Sequence, residues 1–216
     1  MEEDDETPRA LPRWVELEYN HMRTLAGPGA QVRFTNLSRA AATSLAQSFA
    51  GAPAPAPTDR PALGLAESAC ETVGVLELMQ RAGVPRERVC LLDPKAEKAL
   101  APSDGEGEGA FEWFLFGVRD DPPRDRTGEL RAMGFPGRHL GSVQMTTDTA
   151  LGVTKRVVVD KVPLEEIPYV DHPTIVFSPH ESVEMPFRYI QENDAPLLPP
   201  GMKAHLREDL DRSFEF

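Results

Sequence analysis

Apolar positions along this chain change their spacing several times, and each change marks an element. Trp14, Leu17, Tyr19, Met22 and Leu25 form a mixed helical stripe after Pro12, with Glu18 set into it. Gly27-Pro28-Gly29 ends that predicted helix. Gln31 to Thr35 alternates apolar and polar residues, the signature of a short strand. Ser68 to Ala82 reads as a second helix, with Val73, Leu76 and Met79 on one face and Gly83 before Pro85 at its end. Val89 to Leu92 and Phe111 to Phe116 are short apolar runs, as expected of strands buried on both faces of a parallel sheet. Thr127 to Met133 predicts a short helix, Thr174 to Phe177 a late strand, and Met202 to Arg212 a terminal amphipathic helix.

The segments between are irregular. Ser48 to Ala62 is rich in alanine and proline and predicts an exposed loop inside a single domain covering residues 1–216. Lys95 to Ala110 reads as loop, with Asp104 to Gly109 flexible. In Glu184-Met185-Pro186-Phe187-Arg188-Tyr189, aromatic residues flank a charge, which predicts an edge strand. Strands alternating with helices imply an α/β fold. Three predicted strand ends then become loops: Leu92-Asp93-Pro94, Phe116-Gly117-Val118 and Leu140-Gly141. In open α/β sheets, ligands sit at the carboxyl ends of strands.

The third loop is the most informative stretch. Arg138-His139-Leu140-Gly141-Ser142-Val143-Gln144-Met145-Thr146-Thr147-Asp148-Thr149-Ala150 turns directly into a helix. Leu140-Gly141 allows a sharp bend, and Thr146, Thr147 and Asp148 are all suited to start a helix. Ala150, Leu151, Val153, Thr154, Val157 and Val158 supply its buried face. A helix start offers unpaired N–H groups to a carboxylate or an electron-rich ligand edge. By spacing alone, a capped core helix after a tight turn would look the same.

Charge narrows the partners. The 216 residues include 35 acidic and 23 basic side chains, a formal charge of −12. That balance disfavours gripping a phosphate backbone unaided and suits a basic protein partner. Cys70 and Cys90 are far apart, and no cysteine–histidine cluster is present, so a metal site is not expected. Met1-Glu2-Glu3-Asp4-Asp5-Glu6 is acidic, without the apolar run of a secretory signal, and no stretch is apolar enough to span a bilayer. These features lead us to expect a soluble, cytoplasmic, reducing setting.

The wording of the third loop adds more. Arg-x-Leu-Gly-x-x-Gln-Met-Thr-Thr-Asp-Thr-Ala before an apolar helix resembles the C-terminal knot region of the SPOUT-fold methyltransferases. The likeness is strongest to fungal protein-arginine methyltransferases that modify a small-subunit ribosomal protein. Four further blocks agree in order: Val89 to Pro94, Phe116-Gly117 leading into Asp120 through Thr127, Glu184 to Tyr189, and Leu198 to Met202.

The resemblance implies a SPOUT-like parallel sheet flanked by helices, with a C-terminal trefoil knot. It also implies an S-adenosyl-L-methionine site. Leu92, Asp93, Phe116, Gly117, Leu140, Gly141, Gln144, Met145, Thr146, Thr147 and Thr149 are its candidate cofactor-binding residues. The implied substrate is an arginine of a small-subunit ribosomal protein, modified by a monomeric enzyme. Guanidinium stays protonated near neutral pH, so a carboxylate must orient it. Asp120 and Asp125, stiffened by Pro122-Pro123, are the candidate catalytic residues. RNA as substrate is the alternative within the same fold. A catalytically impaired adaptor is another, because only Val118-Arg119 separates Phe116-Gly117 from the Asp120 block, where relatives have a longer, glycine-containing loop. Relatives also carry an apolar strand ahead of the position of Met1.

Overall fold

The computed structural model describes residues 11–51, 64–117 and 126–213. Asp120 and Asp125, and most of the Ala/Pro-rich stretch, lie outside the described residues.

The first helix, α1 (Arg13–Ala26), follows Pro12, whose fixed φ suits a helix entrance. It buries Leu17, His21 and Met22, and Gly27 ends it. β1 (Gln31–Phe34) places Val32 and Phe34 inward, and α2 (Arg39–Gly51) buries Leu45 and Phe49. Alanine spacing in α2 was too even to announce a helix beforehand, and its last four residues overlap the expected loop.

Residues 68–82 are not one helix. β2 (Glu67–Cys70) pairs parallel to β1, and α3 (Val75–Ala82) begins only after Gly74. Backbone pairing with Gln31 to Phe34 overrides the local helical spacing. The buried face of α3 is Leu78 and Met79, whereas Leu76 is exposed.

Three strands form the second parallel unit. β3 (Val89–Leu92) lies between β4 (Trp113–Phe116) and β5 (Gly137–Arg138). All four residues of β3 are buried. α4 (Arg126–Ala132) connects β4 to β5 in sequence. Among the described residues, β1 pairs only with β2 and β4 only with β3. Both edges nevertheless meet one core, because Phe116 packs on the cluster of Met22, Val32, Phe34, Leu45 and Phe49.

Asp104 and Gly105, expected to be flexible, are fixed. Asp104 receives three hydrogen bonds from the Arg138 guanidinium at 2.7–3.0 Å. A Cβ on Gly105 would stand 2.8 Å from the Val158 carbonyl oxygen.

The helix at the centre is α5 (Thr147–Val158). It is buried on nearly every side, which marks a core helix rather than a surface one. Leu151 joins the α1–β1–α2 cluster, while Val153 and Val157 join Cys90, Leu92, Leu100 and Ile190. Burying each of these valines contributes roughly 1.5–3 kcal/mol.

Beyond α5, β6 (Tyr169–Asp171) and β7 (Thr174–Ser178) follow, with β7 forming a separate hairpin with β8 (Glu181–Glu184). β9 (Arg188–Glu192) runs antiparallel between β6 and β10 (Ala195–Pro196). Of the expected edge strand, only Arg188 and Tyr189 enter β9, a middle strand, while Glu184 ends β8. Pro186 separates the two paired ends, so one continuous strand does not form. The last helix, α6 (Met202–Ser213), buries Met202 at its start. These parallel strands flanked by helices bear out the α/β expectation. Among the described residues, no helix is long and apolar enough to cross a membrane.

Candidate functional site

Register brings the three loops together. Leu92 stands opposite Phe116 on one side and Arg138 on the other, all in parallel strands. The loops after β3, β4 and β5 therefore leave the same end of the sheet.

The described residues at these strand ends make specific contacts. Asp93 accepts a two-pronged ion pair from Arg131 and a 2.9 Å bond from the Lys95 backbone N–H. The Arg131 guanidinium is the main reason its carboxyl titrates below the usual range. Its own N–H donates to the Arg138 carbonyl, and its carbonyl accepts from Ala96. Asp93 thus engages its polar groups within the chain and fixes the loop. After β4, Gly117 meets Thr127: a Cβ there would lie 2.7 Å from the threonine hydroxyl. Leu92, Phe116, Leu140 and Met145 share one apolar cluster, giving the strand ends an apolar floor.

Gly141 has φ +102°, in the region that favours glycine, and its N–H donates to His139 Nδ1 at 3.1 Å. The turn then runs along β9. The Arg188 N–H donates to the Gln144 carbonyl at 2.8 Å, and Met145 bridges to Arg188. The Arg188 guanidinium grips Asp171 at 2.6 and 2.8 Å and lies over the Tyr169 ring. That anchor ties the loop to β6.

Thr146 is the N-cap of α5, but its side chain does not cap the helix. Its hydroxyl donates instead to the Thr149 hydroxyl at 2.8 Å. The first intrahelical bond comes from Ala150 to the Thr146 carbonyl. The N–H groups of Thr147, Asp148 and Thr149 therefore have no partner within the helix. A carboxylate placed there would meet both these donors and the positive end of the helix. Thus Leu92, Phe116, Gly117, Leu140, Gly141, Gln144, Met145, Thr146, Thr147 and Thr149 gather at one end of the sheet beside Asp93. Leu198 to Gly201 line a different feature, a cleft of about 300 Å³ with Glu192 and Lys203.

One cluster escaped the sequence reading. His21 Nδ1 lies 2.7 Å from Asp148 Oδ2, and both side chains are buried (4% and 0% exposed). Among the described residues, Asp148 Oδ1 and the Tyr189 hydroxyl are buried without a hydrogen-bond partner. Burial, then Asp148, pushes Glu18 up to about 8. Burial, then Asp148 and Glu18, also drives Tyr189 well above its ordinary range. The signal was present: Glu18 and His21 lie three apart on the apolar stripe of α1, where polar residues are unexpected.

The family model described as "SFM1-like: Protein arginine N-methyltransferase SFM1-like" matches residues 1–213. Protein arginine N-methyltransferase SFM1 of Saccharomyces cerevisiae is 42% identical over 135 residues, which are 59% of this chain and 62% of that protein. The match thus spans less than two thirds of the yeast protein. The crystal structure of yeast arginine methyltransferase SFM1 complexed with SAM superposes with TM-score 0.72 at 29% identity, covering 93% of this chain and 87% of that one. A structure described as a novel protein arginine methyltransferase gives TM-score 0.74 at 31% identity, covering 93% and 96%.

Proposed function

This chain belongs to the SFM1-like protein arginine N-methyltransferase family, and we propose that it transfers a methyl group from S-adenosylmethionine to an arginine of a basic protein. The observation that carries the reading is the uncapped start of α5 at the meeting point of three parallel strand ends. Those residues fit the cofactor. The N–H groups of Thr147, Asp148 and Thr149 have no partner within the helix and would hold its carboxylate. Leu92, Leu140 and Met145 give apolar cover, and the Gly141 turn lets backbone come close. The bound cofactor supplies a sulfonium methyl, which leaves sulfur as a new N–CH₃ bond forms. The chain's task is to hold the acceptor nitrogen in line and to receive the proton it gives up.

A small-subunit ribosomal protein is the substrate we favour, because a basic partner complements the charge of −12. The test has two parts. Calorimetry should register S-adenosylhomocysteine binding; no heat at high ligand concentration would remove the cofactor reading. Incubation with labelled cofactor and separated ribosomal components should label protein. Label in RNA alone would reverse the choice of substrate.

A further inference from the structure

The polar cluster of Glu18, His21, Asp148 and Tyr189 meets the third loop only through Asp148 and is built unlike an ordinary core. Asp148 is fully buried, yet one of its oxygens accepts from His21 and the other accepts nothing from the described residues. Tyr189, 1% exposed, also leaves its hydroxyl unmatched. An unmatched buried carboxylate oxygen bears the cost of leaving water without the return of a hydrogen bond. Arg188, the next residue to Tyr189, sends its guanidinium to Asp171.

Helix direction says where this cluster opens. His21 faces Asp148, and Leu25, four residues later, faces Gly152, also four residues later. α1 and α5 therefore run side by side in the same direction. Glu18 and Trp14, successive turns back along α1, reach the start of α5 and extend past it. Glu18 is only half-buried and Trp14 is 48% exposed. The cluster thus has a closed end at Asp148 and Tyr189, and an open end at Glu18 and Trp14.

Taking the methyltransferase reading as its premise, we propose that Glu18, Asp148 and Tyr189 form the socket for the acceptor arginine, with Trp14 at its mouth. Guanidinium matches what is lacking. It is planar, always charged, and carries five N–H donors and no acceptor. Two carboxylates and a phenol oxygen can share those donors, and an exposed indole can stack on the plane. The socket adjoins the uncapped first turn of α5, so a guanidinium held there stands beside the site proposed for the methyl donor.

Proton traffic distinguishes this socket from a structural network. Glu18 titrates near 8, so without a cation it is mostly protonated at pH 7. The groups facing it are His21 on its own helix, Asp148 from α5 and Tyr189 from β9. A guanidinium entering the socket favours ionised Glu18 and expels its proton to solvent.

Calorimetry of a short basic peptide with a single arginine, in two buffers of different ionisation enthalpy at pH 7, reads that proton directly. We expect release of about one proton, and no binding when citrulline replaces the arginine. Glu18→Gln should abolish the release and raise the peptide KM about tenfold or more, with S-adenosylhomocysteine affinity unchanged. Tyr189→Phe should raise the KM without changing that affinity, and it covers the case in which Glu18→Gln fails to fold. Equal binding of the citrulline peptide would overturn the socket, as would unchanged KM and proton release in the variants. Peptide binding is measured without cofactor, so failure of the methyltransferase reading would appear separately, as absent turnover.

Discussion

Asp93 and Glu18 are displaced from ordinary carboxyl behaviour in opposite directions, and their pH signatures should be opposite. Arg131 holds Asp93 low, so its contribution is present above the unfolded carboxyl pKa and is lost as pH falls through the lower folded value. Asp93→Asn should lower stability at neutral pH by about 1–2 kcal/mol, a modest figure because Arg131 is partly solvated. It should also flatten the acid limb of a thermal-melt series. Glu18 is held up at about 8 against an ordinary 4.5. Between those values the unfolded state has lost a proton that the folded state keeps, so stability falls as pH rises. Melting temperatures of Glu18→Gln should lose that decline and exceed those of the parent at pH 8. Gly141 is a third residue-scale case. Its Cβ position is open, with Arg188 Nη1 3.8 Å away, so any penalty comes from φ +102°. Gly141→Val should cost about 1–3 kcal/mol through backbone strain and weaken cofactor binding beyond that loss.

At the scale of elements, errors in reading came where tertiary contacts outweighed local spacing. The stripe Val73, Leu76, Met79 suggested a helix from Ser68, but Ser68 to Cys70 pair with Val32 to Phe34. Nothing within those three residues encodes their partner. Asp104 to Gly109 looked flexible because glycine and acid alternate there, yet Arg138 and the end of α5 hold Asp104 and Gly105. Long, strongly patterned elements were legible: α1, β3 and α5 fall where their apolar residues put them. The loops at the strand ends were legible because apolar runs, a turn glycine and helix-start residues stand together in sequence. The Glu18–His21–Asp148–Tyr189 cluster was not, because three elements supply it. Two substitutions test this scale. Leu78→Glu should unfold α3 and lower the melting temperature sharply, whereas Leu76→Glu should be nearly neutral. Gly105→Ala should cost about 1–3 kcal/mol, since a methyl would press on the Val158 carbonyl.

At the scale of the molecule, α5 joins the α1–β1–α2 core to the β3–β4 core. Hydrogen exchange should therefore find α5 and β3 slowest, opening only with global unfolding, and the β7–β8 hairpin among the fastest. The His21–Asp148 contact closes a span of 127 residues. Contacts that distant form late, because loop closure must be completed before they yield any stabilisation. During synthesis, α1 would wait for more than half the chain before its buried histidine met its partner, and longer for Tyr189. The Glu18–His21–Asp148–Tyr189 cluster and the start of α5 cannot form in a half-made chain. On the proposed reading, the nascent protein would gain its donor and acceptor sites together, in one late cooperative step, with no stage at which it held a methyl donor but had nowhere to send the methyl.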